Sequence, residues 1–279
     1  MSDKKEKDRL SKNLERIKPL LKKEDAVVFP DFKKTLIATD IHGDYRALEH
    51  ILRFAEKKEV DSYIFLGDYI DKGPDSVSVL NTLFEMKIKN PKKIILLRGN
   101  HETSNLSGWF EFAEDLVNDP EIFDASNAVF EQMPIAAVLN NKILCVHGCI
   151  AGTKNETLKE ISKKNSKSYL WNDPGTEDGL LPSQRGSGIY RIGPDMIKKY
   201  LKQNDLQMII RGHTSHTEGV KCFCDDKLIS LYSTLPYISP TVRAAVAIAK
   251  EDEIKLYYYR KTKTGFEWEN ETQKLKLRK

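Results

Sequence analysis

Apolar positions along the chain fall into two textures. In the first segment Leu10, Leu14, Ile17 and Leu20/Leu21 recur at helical spacing among lysines and glutamates, which predicts an amphipathic helix laying one stripe on a neighbour. Residues 1–34 are assigned to this helix and its flanks, packing on a single domain that spans residues 35–279. From Thr35 onward the pattern changes to short apolar runs, each ending in a polar cluster: Leu36-Ile37-Ala38, Tyr63-Ile64-Phe65-Leu66, Ile94-Ile95-Leu96-Leu97, Ile143-Leu144-Cys145-Val146 and Met208-Ile209-Ile210. Such runs predict buried strands. Helical patterns over residues 45–57 and 75–89 separate the first three, so the chain starts β-α-β-α-β with right-handed crossovers. Residues 221–232 and 244–259 predict antiparallel meanders. The class that follows is α/β with a mixed sheet.

Composition narrows the field. With 40% hydrophobic and 31% charged residues the chain is globular, not disordered, collagenous or a disulfide scaffold. A length of 279 residues admits one or two domains, and no repeat or low-complexity linker divides it. The net charge of +4 is small and dispersed, which argues against a nucleic-acid partner. Met1-Ser2-Asp3-Lys4-Lys5 opens no apolar signal region and no run is long enough to span a bilayer, so a soluble, cytoplasmic protein is expected. Cys145, Cys149, Cys222 and Cys224 match neither a disulfide framework nor a structural zinc spacing; reduced thiols are expected, with Cys222 and Cys224 packing on one face of a strand.

The chemistry lies just past the end of each apolar run. The five tips are Asp40-Ile41-His42-Gly43-Asp44, Gly67-Asp68-Tyr69-Ile70-Asp71-Lys72-Gly73, Arg98-Gly99-Asn100-His101-Glu102, His147-Gly148 and Arg211-Gly212-His213. Ligands of open α/β sheets bind outside the carboxyl ends of strands, so the tips can face one crevice. A lone histidine at a strand end is usually a packing residue. Here four of the six histidines sit at the tips, and that shared register points to metal. Imidazoles, carboxylates and one amide oxygen suit Mn²⁺, Fe²⁺ or Zn²⁺. Two ions fit better than one: Asp40 and His42 on the first, Asn100, His147 and His213 on the second, and Asp68 bridging. Asp44 and Asp75 read as turn and helix-start residues, and Trp109, Trp171 and Trp268 as packing residues.

In this order the motifs Asp-x-His-Gly, Gly-Asp-x-x-Asp-[Arg/Lys]-Gly, Gly-Asn-His-Glu, His-Gly and Arg-Gly-His resemble the phosphoprotein phosphatase (PPP) family of metallophosphoesterases, the serine/threonine protein phosphatases. The resemblance covers residues 35 to 250 and includes Met133-Pro134-Ile135-Ala136-Ala137. It implies a calcineurin-like fold, a central β-sandwich of two mixed sheets flanked by helices, with a dinuclear site at the strand ends. It also implies two divalent ions per chain, Mn²⁺ first, with Fe or Zn as alternatives. The activity implied is hydrolysis of phosphoserine and phosphothreonine in proteins by direct attack of a metal-bridging hydroxide. By the same resemblance His101 is the general acid, held by Asp71, and Arg185, Lys72, Arg98 and Tyr237 contact the substrate phosphate. The chain departs from the pattern at Thr39, Cys149 and Lys72, where the family carries Gly, Gly and Arg. No ligand is lost. Two other readings compete: a dinucleoside polyphosphate hydrolase, which Gly73-Pro74-Asp75-Ser76 resembles, and a noncatalytic module that keeps the fold as a scaffold.

Overall fold

Each of the five apolar runs is a strand buried on both faces, which is why it reads as continuous rather than alternating. In the computed structural model, which describes residues 4–103, 111–153, 155–235 and 243–277, these strands are β2 (Lys34–Ala38), β3 (Ser62–Phe65), β4 (Ile94–Leu96), β6 (Ile143–Val146) and β10 (Met208–Arg211). They are divided between two six-stranded sheets. One runs β15-β14-β13-β2-β3-β4, with β13 (Arg243–Lys250), β14 (Glu253–Thr262) and β15 (Gly265–Lys276) antiparallel and β2, β3 and β4 parallel. The other runs β1-β5-β6-β10-β12-β11, where β1 is Val27–Val28, β5 Ala136–Leu139, β11 Val220–Phe223 and β12 Leu228–Leu231. A small third sheet joins β7 (Asp173–Pro174), β9 (Tyr190–Ile192) and β8 (Leu180–Pro182).

The two large sheets pack face to face. Ile37, Ile64 and Leu97 from the first meet Cys145, Ile210 and Ile229 from the second in one buried cluster. The alternate residues Leu36, Ala38 and Phe65 face outward into a helical layer. That layer holds α1 (Lys4–Lys22), α2 (Tyr45–Lys57), α3 (Ser76–Lys89) and α5 (Pro120–Phe130), the last preceded by the short α4 (Glu111–Asp115). On the far side Leu144, Val146 and Ile209 pack against α6 (Lys167–Trp171) and α7 (Pro194–Gln203) through Tyr169, Ile197 and Tyr200. The result is the mixed sandwich between helices that the motifs implied.

The first helix lies on α3 and α5 with Leu10, Leu14, Ile17 and Leu21 at 0–2% exposure. Burial of that stripe contributes about 1.5–3 kcal/mol per side chain. Two polar ties fix it as well: Asn13 Nδ2 donates to Asn81 Oδ1 at 2.9 Å, and the buried Lys87 ammonium pairs with Glu24. Among the described residues no helix is long and apolar enough to cross a membrane.

Candidate metal centre

The tips of both sheets meet at one edge of the sandwich, and their backbone is unusual there. Asp40, His42, Asp68 and His213 have φ of 51°, 46°, 55° and 69°. Left-handed residues other than glycine cost about 1–3 kcal/mol each and persist where the surroundings over-determine them. Here they aim side chains inward that a regular strand end would direct elsewhere. Close approach of the loops needs glycine at two points. A Cβ on Gly99 would lie 2.2 Å from Asp68 N, and one on Gly212 would lie 2.5 Å from Asp40 Oδ2.

Asp68 stands at the centre. Its Oδ2 lies 3.4 Å from His42 Nε2, and its Oδ1 lies 3.3 Å from His147 Nε2. Each histidine has its other nitrogen committed: His42 Nδ1 is 2.9 Å from the Ile70 carbonyl and His147 Nδ1 is 3.0 Å from the Leu66 carbonyl. Donation to those carbonyls turns both Nε2 lone pairs toward Asp68. Asp40 Oδ1 is 3.8 Å from His42 Nε2, and Asn100 Oδ1 is 2.9 Å from His147 Nε2. Donor atoms of His42, Asp68 and His101 form one group compatible with an ion, and those of Asp68, His147 and His213 form another. Asp68 belongs to both.

The polar accounting of these residues is incomplete without a cation. Asp40 Oδ1 and His213 Nε2 are buried and have no hydrogen-bond partner. Asn100 Oδ1 and His147 Nε2 face each other as two lone pairs at hydrogen-bond distance, an arrangement that needs a proton or a metal between them. Burial and the Asp68 charge push the Asp40 carboxyl above its ordinary range. Burial also lowers His42 to about 3 and His213 well below its usual value, the latter with help from the His147 and Arg211 charges. His42 and His213 are thereby shifted toward the neutral imidazole that binds metal, whereas at His147 the Asp68 charge and hydrogen bond outweigh burial and raise the ring. The donor set therefore fits two divalent ions.

His101 lies at the rim of this cluster. Its Nδ1 is 2.6 Å from Asp71 Oδ2 and its Nε2 is 4.0 Å from Asp68 Oδ2. Asp71 is itself buried, and its Oδ1 accepts from Phe112 N at 3.1 Å. Burial alone would lower the His101 imidazolium, but the Asp68 charge and the Asp71 hydrogen bond outweigh it and leave His101 raised.

The four expected phosphate contacts fare differently. Arg185 Nε donates to Asp173 Oδ2 at 2.6 Å, and Arg185 Nη2 donates to Thr214 Oγ1 at 3.3 Å, beside His213. Its side chain is a third exposed. Lys72 reaches the centre, with Nζ 2.9 Å from His42 Nε2. An ion held by that nitrogen would compete with the ammonium for one lone pair, so Lys72 would have to turn aside. The Arg98 guanidinium is buried and Nε donates to the Glu102 carbonyl at 2.9 Å, so it braces the turn that carries Asn100 and His101. Tyr237 lies outside the described residues, as do the loop residues 238–241 and Trp109.

Two positioning groups carried no assignment in the sequence. The buried Glu102 carboxylate accepts from Asp68 N and Tyr69 N at 2.8 Å and from Gly99 N at 2.9 Å, locking two ligand loops together. Burial and the Asp68 charge push it up to about 7. Arg211, wholly buried, donates to Gly148 O at 2.7 Å, Thr214 Oγ1 at 2.8 Å and Asp173 Oδ1 at 2.9 Å. Both belong to quoted motifs, but only their contacts separate a brace from a ligand. Trp171 packs edge-on to His213 with ring centroids 5.6 Å apart.

Residues 33–216, the stretch that carries every one of these candidate ligands, match the family described as calcineurin-like phosphoesterase. The chain belongs to that family. Within it the phosphoesterase is similar to phosphoprotein phosphatases. It is 28% identical over 235 residues to a protein phosphatase 2A catalytic chain of Dictyostelium discoideum, covering 80% of this chain and 75% of that one. It is 32% identical over 240 residues to human serine/threonine-protein phosphatase 5, covering 80% of this chain but 48% of the human protein, so it spans about half the length of that relative. A Saccharomyces cerevisiae protein serine/threonine phosphatase with similarity to human PP5 superposes with a TM-score of 0.79 at 26% identity, over 88% of this chain and 83% of that one. The likeness extends to the calcineurin-like fold, and it makes the chain a phosphoester hydrolase.

Proposed function

We propose that the phosphoesterase is a metal-dependent protein phosphatase that hydrolyses phosphoserine and phosphothreonine. The observation that carries this reading is Asp68, which offers one carboxylate oxygen to each of two histidine clusters. Asp40, His42 and Asp68 would hold one ion, and Asp68, Asn100, His147 and His213 the other; Mn²⁺ suits this set, with Fe and Zn as alternatives. Two such ions supply a nucleophile from water near neutral pH and neutralise charge on the phosphoryl oxygens.

The remaining steps belong to side chains. A serine or threonine alkoxide leaves poorly and needs a proton as the P–O bond breaks. His101 gives it from Nε2, while Asp71 holds Nδ1 and keeps the ring charged, as the carboxylate of a catalytic triad orients its histidine. Arg185 and Lys72 receive the phosphate. No covalent phosphoenzyme is required. A dinucleoside polyphosphate hydrolase would use the same centre, but the similarity to serine/threonine phosphatases favours the protein substrate.

The test compares a phosphothreonine peptide with diadenosine tetraphosphate, each with chelated enzyme and after Mn²⁺ is added back. Peptide hydrolysis lost on chelation and restored by Mn²⁺ is expected. Turnover that survives complete metal removal would sink the mechanism, and faster cleavage of the dinucleotide would sink the substrate assignment.

The two cations give a second expectation. Arg185 presents a planar fork, already braced by Asp173, whereas Lys72 binds through one donor at a time. Arg185→Ala should lower kcat/KM on a phosphopeptide by about 1.5–3 kcal/mol per charged hydrogen bond lost. Lys72→Ala should cost less, and Lys72→Arg should be tolerated or improve it. A neutral Arg185→Ala would show that its guanidinium serves only Asp173.

A further inference from the structure

The end of β2 carries a hydroxyl that no role described so far uses. Thr39 is wholly buried, and its Oγ1 donates to Asp40 Oδ2 at 2.5 Å. The same oxygen accepts from His213 N at 2.8 Å. Both donors thus fall on one carboxylate oxygen. Oδ1, the oxygen that faces His42, receives none. A carboxylate with fewer donors is free to turn and offer both oxygens to a cation. This one is held to offer a single oxygen.

The backbone that carries the hydroxyl is itself fixed from the other sheet. Thr39 N donates to Ser233 Oγ at 3.1 Å, and Ser233 passes its own hydrogen to Ala245 O at 2.7 Å. Thr234 Oγ1 donates to Asp40 O at 2.5 Å, so the segment after β12 grips both residues. Gly212 leaves the room that this needs, since a Cβ there would fall 1.9 Å from Thr39 Oγ1. A buried hydroxyl set against a carboxylate, with its neighbours arranged around it, goes beyond what packing at a strand end requires. Valine would fill that volume equally well.

We propose that Thr39 is a positioning residue, which through its hydroxyl fixes Asp40 as a single-oxygen ligand to the ion shared with His42. The inference rests on the dinuclear reading above. Groups that orient metal ligands are worth about 10–100-fold in metal affinity, so its removal should be read in binding as well as in turnover.

The experiment titrates Mn²⁺ into the chelated full chain, following heat by calorimetry and free Mn²⁺ by paramagnetic resonance, for wild type, Thr39→Val, Thr39→Ser and Thr39→Ala. Melting of each in chelator reports folding without metal. Wild type should bind two ions. Thr39→Val should keep its melting temperature and bind one of the two about 10–100-fold more weakly, with Thr39→Ser close to wild type. If Thr39→Val does not melt cooperatively, Thr39→Ala carries the same comparison with a smaller side chain. Two ions bound by Thr39→Val at wild-type affinity would overturn the inference. So would equal weakening in Thr39→Ser, which retains the hydroxyl. Wild-type protein that takes up no Mn²⁺ would overturn the dinuclear reading and this inference with it, a result distinct from either of those.

Discussion

Asp68→Asn is expected to lose both ions and most of the activity. The carboxylate is the one group shared by the two donor sets, with Oδ2 toward His42 and Oδ1 toward His147. Asparagine keeps the shape but has one oxygen, and its amide nitrogen must then face one of the two histidine nitrogens. That nitrogen repels a cation, and the substitution removes the negative charge from both sites at once. Substitutions that merely orient ligands cost about 10–100-fold in affinity, so loss of a shared ligand should exceed that at each site. Oδ1 also accepts from His101 N at 3.1 Å, so an amide oriented to keep that bond gives up the His42 side. The measurement is metal content after dialysis together with kcat, with melting in chelator as the control for folding. Two ions retained per chain, with turnover near wild type, would show that Asp68 does not bridge.

What the sequence made legible follows from where each residue is buried. Strands β2, β3, β6 and β10 are enclosed on both faces, so each appears as an unbroken apolar run with its candidate ligand shortly after it. The strand β15 did not announce itself, because it is a sheet edge carrying Glu267, Glu269, Glu271, Lys274 and Lys276, and its register against β14 shifts between Tyr257 and Tyr259. Charges and irregularities of that kind protect an edge from pairing, and they erase the alternation that marks a strand. The helix α7 was likewise silent.

The site shows the same division. Residue types and spacing pointed to the candidate ligands, since a metal needs particular atoms whatever the backbone does. Roles that depend on direction were not visible. Arg98, Arg211 and Arg185 are all arginines beside a Gly, yet Arg98 and Arg211 turn inward to backbone carbonyls that hold loops, whereas Arg185 keeps a third of its side chain exposed and donates to Asp173 and Thr214. Nothing in a string of letters encodes the positive φ of Asp40, His42, Asp68 and His213. Those angles depend on long-range neighbours: at Asp68 the neighbour is Glu102, which gathers three backbone N–H groups from two loops.

His101→Asn should keep both ions and lose about 10²–10⁴ in kcat on alkyl phosphates, the usual contribution of a general acid. The geometry gives the reason. His101 Nδ1 is taken by Asp71 at 2.6 Å, so a proton bound for the leaving oxygen has to come from Nε2, at the rim of the metal cluster. The Asp68 charge and the Asp71 hydrogen bond outweigh burial and raise the ring above its ordinary range, the direction that favours the form an acid needs. Asp71→Asn should therefore reproduce part of the loss, because an amide still occupies the space but no longer stabilises the imidazolium. An aryl phosphate separates acid catalysis from damage to the metal site. Its leaving oxygen departs readily as an anion, so the His101→Asn penalty should shrink sharply there. Equal losses on alkyl and aryl substrates, with both ions present, would mean that His101 acts through the metal centre and that the proton comes from elsewhere.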